Sequence, residues 1–125
     1  MNLNQITIPS LDLSVAVPFY QKLGLRLIVD ALPRYARFEL PEGEATFSIH
    51  LVEELPGGNG VVLYFETEDV EAKVKELQAQ GIAFNLLPTE QSWLWKEARL
   101  TDPDGNQLII FYAGNNRKNP PWRVN

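Results

Sequence analysis

Asp102, Asp104 and Asn106 alternate within TDPDGNQLIIFYAG (Thr101 to Gly114), the spacing with which a calcium loop begins. A loop of that kind opening at Asp102 needs glycine at its sixth position and a bidentate glutamate at its twelfth. Those positions hold Gln107 and Ala113. Pro103 presets φ for the second residue of a tight turn and Gly105 supplies a positive φ, so the stretch reads as a turn between strands rather than an ion site. His50 is the single histidine and cysteine is absent. Disulfides, thiolate catalysis, Cys-rich zinc sites and His-pair metal motifs are therefore excluded. A lone strand histidine reads first as hydrogen-bonded to a neighbouring backbone group or to Gln5. The residues left as ligand-binding candidates are Gln5, Arg37, His50, Tyr64, Trp93 and Trp95, a mixture of polar groups and rings suited to an organic guest.

The elements that must position these residues follow from hydrophobic period and punctuation. LNQITIP alternates as a strand and ends at Pro9. LDLSVAVPFYQKLG reads as a helix capped by Asp12, with Leu13, Val17, Tyr20 and Leu23 on one stripe and Gly24 as the stop; Pro18 removes one of its hydrogen bonds. LRLIVD, RYARFEL and ATFSIHLVEE follow as strands. VVLYFETED then opens a second half, with a helix from the Asp69 cap to Gly81 carrying Val70, Val74 and Leu77, and the strands IAFNLL, SWLWKEARL and NQLIIFY. Asp12 and Asp69 are 57 residues apart, as are Gly24 and Gly81. The order βαβββ twice over marks an internal duplication, with repeats at about 1–55 and 61–113 and a C-terminal arm over 114–125. The fold class is α+β: two tandem βαβββ modules forming a curved mixed sheet with helices on its outer face.

At 125 residues, 45% of them hydrophobic, the chain fits a single domain, residues 1–125, with a core of its own. A net charge of −5 and the absence of a basic stripe argue against nucleic acid; Arg117, Lys118 and Arg123 are too few to displace counterions. No apolar run has membrane-spanning length, and MNLNQITIP lacks the basic and hydrophobic parts of a signal peptide, so the expected location is the cytoplasm. In the arm, Trp122 within Pro120-Pro121-Trp122-Arg123 is expected to anchor in a groove or on a partner subunit.

One helix for four strands covers only one face of each sheet, leaving the other for water, a ligand or a partner chain. Strand parity assigns Ile6, Ile8, Leu63 and Phe65 to the helix side. It assigns Leu3, Gln5, Thr7, Tyr35, Arg37, Glu39, Thr46, Ser48 and His50 to the open face. Val62, Tyr64, Glu66, Gln107, Ile109, Phe111 and, with looser register, Trp93, Trp95, Glu97 and Arg99 join it. Such a mixture of aromatic and polar groups suits a pocket wall or a subunit interface more than a solvated surface. Acidic residues on that face favour cationic guests.

DLSVAVPFYQKLGL and TDPDGNQLIIFY resemble the first helix and the terminal hairpin of the vicinal oxygen chelate superfamily, which contains glyoxalase I, extradiol dioxygenases, fosfomycin-resistance enzymes and bleomycin-resistance proteins. The resemblance runs from Leu3 to about Tyr112 and agrees with the paired βαβββ order. It implies that metal-using members carry ligands at four open-face positions, which fall here on Gln5, His50, Val62 and Ile109. Two are polar and two aliphatic. A catalytic divalent ion normally needs three or more protein donors. No cofactor is therefore expected, and glyoxalase I chemistry would lack its glutamate.

The reading that follows is a metal-independent small-molecule-binding protein, a homodimer serving sequestration or resistance, with no catalytic residue assigned. The alternative is a metal-dependent lyase, isomerase or dioxygenase of glyoxalase type, using Gln5, His50 and further carboxylates. A third reading makes the open face a subunit interface alone.

Overall fold

A computed structural model describes residues 1–124. The chain divides into two compact units, one comprising Met1–Gly60 with the turn Asp102–Gly105, the other Val61–Thr101 with the chain from Asn106 onward. Apart from that turn, the boundary separates the two repeats. No helix among the described residues is long and apolar enough to cross a membrane.

The first unit holds β1 (Gln5–Ser10), α1 (Leu13–Lys22), β2 (Arg26–Ala31), β3 (Tyr35–Glu39) and β4 (Thr46–Leu51). Its sheet runs β1-β4-β3-β2, with β1 parallel to β4 and the other pairs antiparallel. Asp12 caps α1, its carboxylate accepting from the Ser14 N–H at 3.0 Å. Gly24, at φ 102°, ends it: the Gly24 N–H reaches the Gln21 carbonyl and the Leu25 N–H the Tyr20 carbonyl. That pair of bonds is a Schellman motif, and the Leu25 that closes it is buried. Pro18 does lie inside the helix, on an exposed turn.

α1 packs on β3 and β4. Between them lie Leu13, Val17 and Tyr20 with Phe38, Phe47 and Ile49, all buried. The Tyr20 ring stands 4.6 Å from Phe47 and 6.2 Å from Phe38. Its hydroxyl donates to Asp102 Oδ2 at 2.5 Å, and Asp102 is itself buried. The acidic turn is thus structural. Asp102 accepts the Tyr20 proton and the Asp104 N–H, while Asp104 Oδ1 accepts the Leu11 N–H at 2.9 Å, beside the start of α1.

The second unit repeats the plan with β5 (Val62–Glu66), α2 (Val70–Ala79), β6 (Leu86–Glu90), β7 (Lys96–Thr101) and β8 (Gln107–Tyr112), in the order β5-β8-β7-β6. Asp69 caps α2 through the Ala72 N–H. Gly81 and Ile82 repeat the Schellman bonds, to Gln78 and Leu77, and Ile82 is buried. The duplication therefore extends to the individual hydrogen bonds of the C-terminal caps. The strands form two separate four-stranded mixed sheets, one per repeat, in an α+β fold, rather than one continuous hydrogen-bonded sheet.

Two expected strands begin late. Within IAFNLL, Ile82 closes the helix cap and pairing begins only with the Asn85 N–H on Arg99, so β6 starts at Leu86 and is an edge strand that accommodates Pro88 beside an irregularity in register. Within SWLWKEARL, Trp93, Leu94 and Trp95 form the connection instead: Leu94 has φ 69°, and the Gln91 N–H bonds the Trp95 carbonyl at 2.8 Å. The run at Leu108–Phe111 is buried on both faces. On the helix side Ile8 and Leu63 are buried, whereas Ile6 is exposed and Phe65 half-buried.

Candidate functional site

The open face of the first unit carries a continuous chain of polar contacts. β1 and β4 pair so that Gln5 lies opposite Thr46 and Thr7 opposite Ser48; β3 places Tyr35 opposite His50 and Arg37 opposite Ser48. Thr46 donates its hydroxyl to Gln5 Oε1. Gln5 Nε2 donates to Ser48 Oγ at 2.6 Å. Ser48 Oγ is 2.7 Å from the Tyr35 hydroxyl, and Arg37 Nε donates to that same oxygen at 2.8 Å. The Arg37 guanidinium carbon also stands 5.5 Å from the centre of the Tyr35 ring. Ser48 is fully buried beneath these longer side chains. The hydrogen bond with Ser48, and after it Arg37, holds the Tyr35 phenol below its ordinary pKa.

His50 is not brought next to Gln5. Parallel pairing sets it opposite Pro9, four residues along β4 from the Thr46 that faces Gln5, a separation of about 13 Å at the rise of a strand. The β4 side chain that meets Gln5 is Ser48. The donor at this end of the sheet is thus a serine hydroxyl, and His50 stands exposed at the other end.

The second unit turns a different surface outward. Trp95 stacks on Phe111 with ring centres 4.8 Å apart, and Tyr64 meets both edge-on, at 5.8 Å from Trp95 and 5.4 Å from Phe111. Val62, Ile109, Phe111, Ala113 and Trp95 pack as one apolar cluster. Tyr64 is 49% exposed and Trp93 39% exposed, so this aromatic group remains partly open. Beside Phe111 in the register sits Glu97, fully buried. Its carboxylate accepts from Trp93 Nε1 at 2.8 Å and from Arg99 at 3.1 Å, which satisfies a charge that would otherwise be costly to bury.

Glu66, also on this face, accepts the Ala113 and Gly114 N–H groups at 2.9 and 3.0 Å and lies 3.8 Å from Arg117. It thereby holds the first turn of the C-terminal arm, a 3-10 helix over Gly114–Arg117. Trp95 Nε1 reaches the Asn116 carbonyl at 3.4 Å. The arm docks through these contacts, whereas Trp122 is 56% exposed.

The positions that the family resemblance implies for a metal carry Gln5 and His50, which the register holds apart, and Val62 and Ile109. One amide, one imidazole and two alkyl side chains do not fit a catalytic divalent ion. Among the described residues, no three His, Asp or Glu side chains converge to hold a metal. A groove of about 290 Å³ lies elsewhere in the second unit, at the start of α2, lined by Glu68, Glu71, Glu90, Lys96 and Tyr112 among others. Lys96 bonds Glu71 there and lies 3.9 Å from Glu90. The hydrogen bond between Lys96 and Glu71 raises the lysine pKa and lowers that of the glutamate. The cation in that groove is already neutralised.

Of the six candidates, the structure joins Gln5 and Arg37 through Ser48 and Tyr35. It joins Tyr64 to Trp95 and seats Trp93 on Glu97, and it leaves His50 apart. Ser48, Tyr35, Phe111 and Glu97 complete these groups without having been singled out. Strand alternation placed all four on the open face, but only the register shows which of their neighbours they touch.

The sequence profile of the Glyoxalase/Bleomycin resistance protein/Dioxygenase superfamily matches residues 2–110. Among solved structures, a glyoxalase/bleomycin resistance protein/dioxygenase from Nocardioides superposes with a TM-score of 0.80 at 22% identity, over 100% of this chain and 90% of that one. A glyoxalase/bleomycin resistance protein/dioxygenase family enzyme from Burkholderia phytofirmans PsJN gives 0.75 at 21% identity, over 90% and 99%. Lactoylglutathione lyase from Agrobacterium tumefaciens gives 0.74 at 16% identity, over 89% and 92%. At such identities the likeness is one of fold. A comparison with curated proteins gives no significant match.

Proposed function

This chain belongs to the Glyoxalase/Bleomycin resistance protein/Dioxygenase superfamily, and on that premise we propose that it binds a small organic molecule without a metal, in the service of sequestration or resistance. The observation that carries the reading is the partly open group of Tyr64, Trp95 and Phe111 beside the buried, fully partnered Glu97. Tyr64, the exposed member, and the half-buried Trp95 offer a planar guest ring surface to contact, with buried Phe111 packed against both. The neighbouring carboxylate is held by its own hydrogen bonds and serves to fix Trp93 and Arg99 in place. The first unit, taken by itself, presents a separate set of polar groups on its open face, Gln5 and Arg37, with His50 opposite Tyr35 in the register.

A metal-dependent lyase, isomerase or dioxygenase needs a donor set that Gln5, His50, Val62 and Ile109 do not offer. The protein acts, in this reading, as a cytoplasmic homodimer. What supports a second copy as partner is that one helix for four strands leaves one face of each sheet uncovered. The test is titration of aromatic small molecules into chelator-treated protein, followed by tryptophan fluorescence. Saturable quenching is the expected result; a firmly held, equimolar transition metal in freshly purified protein overturns the reading. Light scattering at micromolar concentration tests the dimer, which a single monomer peak refutes.

A further inference from the structure

We infer that the open face of the first unit, at Tyr35 and Arg37, is a recognition site for an anionic oxygen, and that the guest carries a carboxylate or an equivalent acid group. This names the ligand class for the small-molecule binding proposed above and rests on that reading.

The inference comes from counting donors and acceptors. Gln5 Nε2 also lies 3.4 Å from the Ile6 carbonyl, which only accepts, so the amide nitrogen, not its oxygen, faces Ser48. Ser48 therefore accepts from Gln5. Buried completely, the serine has the Tyr35 oxygen as the acceptor for its own proton. Arg37 Nε donates to that same oxygen. The phenol oxygen thus receives two hydrogen bonds from within the protein, and its own proton is left to point outward. So are the terminal N–H groups of Arg37, whose Nε is already tied down. A hydroxyl donor beside a guanidinium edge is a matched pair for a planar acid group. The lowered phenol pKa agrees with the double donation.

Charge pairing points the same way. The open-face carboxylates are committed: Glu97 to Trp93 and Arg99, Glu66 to two backbone N–H groups and Arg117, and Glu39 to an exposed pair with Arg26 at 3.5 Å. Arg37 forms no ion pair among the described residues. The acidic residues that favoured a cationic guest in the sequence are therefore occupied, each within its own unit, and on the open face of the first unit Glu39 is paired while Arg37 is left without a counter-charge among the described residues.

The experiment titrates benzoate, benzamide and benzylammonium separately into the full chain, reading affinity by NMR and following the Arg37 Nε–Hε resonance. Benzoate is expected to bind at least about ten-fold more tightly than benzamide and to shift the Arg37 signal. Arg37→Gln removes that preference, bringing benzoate affinity down to that of benzamide for the same variant; Tyr35→Phe, a milder change, reduces it. Equal affinity for benzoate and benzamide, tighter binding of benzylammonium, or a preference that survives Arg37→Gln overturns the acid-group site while small-molecule binding stands. Failure of all three probes to bind overturns both.

Discussion

Tyr20→Phe removes one oxygen atom from the centre of the first unit and tests whether the acidic turn is structural. The ring is fully buried and keeps its contacts with Phe38 and Phe47 in the variant, so no large cavity forms. What is lost is a hydrogen bond to a buried carboxylate at 2.5 Å. Bonds of that kind contribute about 1.5–3 kcal/mol, because the acceptor is left in a place where water cannot fully replace the donor. A loss of about 2 kcal/mol lowers Tm by about 8 °C for a domain of this size. Alkaline pH supplies an independent reading of the same contact. Burial first, and the charge of Asp102 second, raise the Tyr20 pKa above its ordinary 10.0. The unfolded chain then ionises this phenol before the folded one does. Its stabilising contribution is complete below about pH 10 and declines as pH rises beyond that value. Tyr35, whose phenol shifts downward, acts with the opposite sign, so the difference between wild type and Tyr20→Phe isolates Tyr20. Urea unfolding at pH 7 and across pH 9–11 measures both effects. A variant within about 0.5 kcal/mol of wild type, or one with an unchanged alkaline slope, refutes the reasoning.

Trp95→Ala removes the stacked partner of Phe111 and weakens benzamide binding about five-fold, the equivalent of about 1 kcal/mol of aromatic contact; isothermal titration with unchanged affinity contradicts the platform. Exhaustive chelation leaves ligand affinity unaltered, and elemental analysis of fresh protein finds no equimolar transition metal. Glu66→Ala frees the Ala113 and Gly114 amides, so their hydrogen exchange accelerates about ten-fold, with the strands of the second unit retaining protection; unchanged exchange shows that Glu66 does not hold the arm.

Features set by neighbours in the chain were legible in the sequence. Asp12 and Asp69 as caps, and Gly24 and Gly81 as stops, act within a few residues, and so the helices and the duplication could be read directly. Alternation likewise placed Tyr35, Ser48, Phe111 and Glu97 on the open faces. Boundaries failed where a residue served a second role: Ile82 looks like strand but closes a helix cap, and Trp93 and Trp95 look like strand but form the connection into β7. The site was less legible, because register is a non-local property. The turns between β1 and β4 decide whether Gln5 meets Ser48 or His50, and no local pattern encodes that offset. Glu97 was hidden for a related reason: a charged residue reads as exposed until its partners, Trp93 and Arg99, are known to converge on it.

The turn at Asp102–Gly105 lies late in the chain yet forms part of the first compact unit. A fragment ending at Gly60 would retain every strand and helix of that unit while surrendering the carboxylate beneath Tyr20 and the one that receives the Leu11 amide. Cutting the gene between its repeats therefore yields no self-sufficient half: the amino-terminal piece inherits an orphaned phenol and needs the missing turn restored in trans.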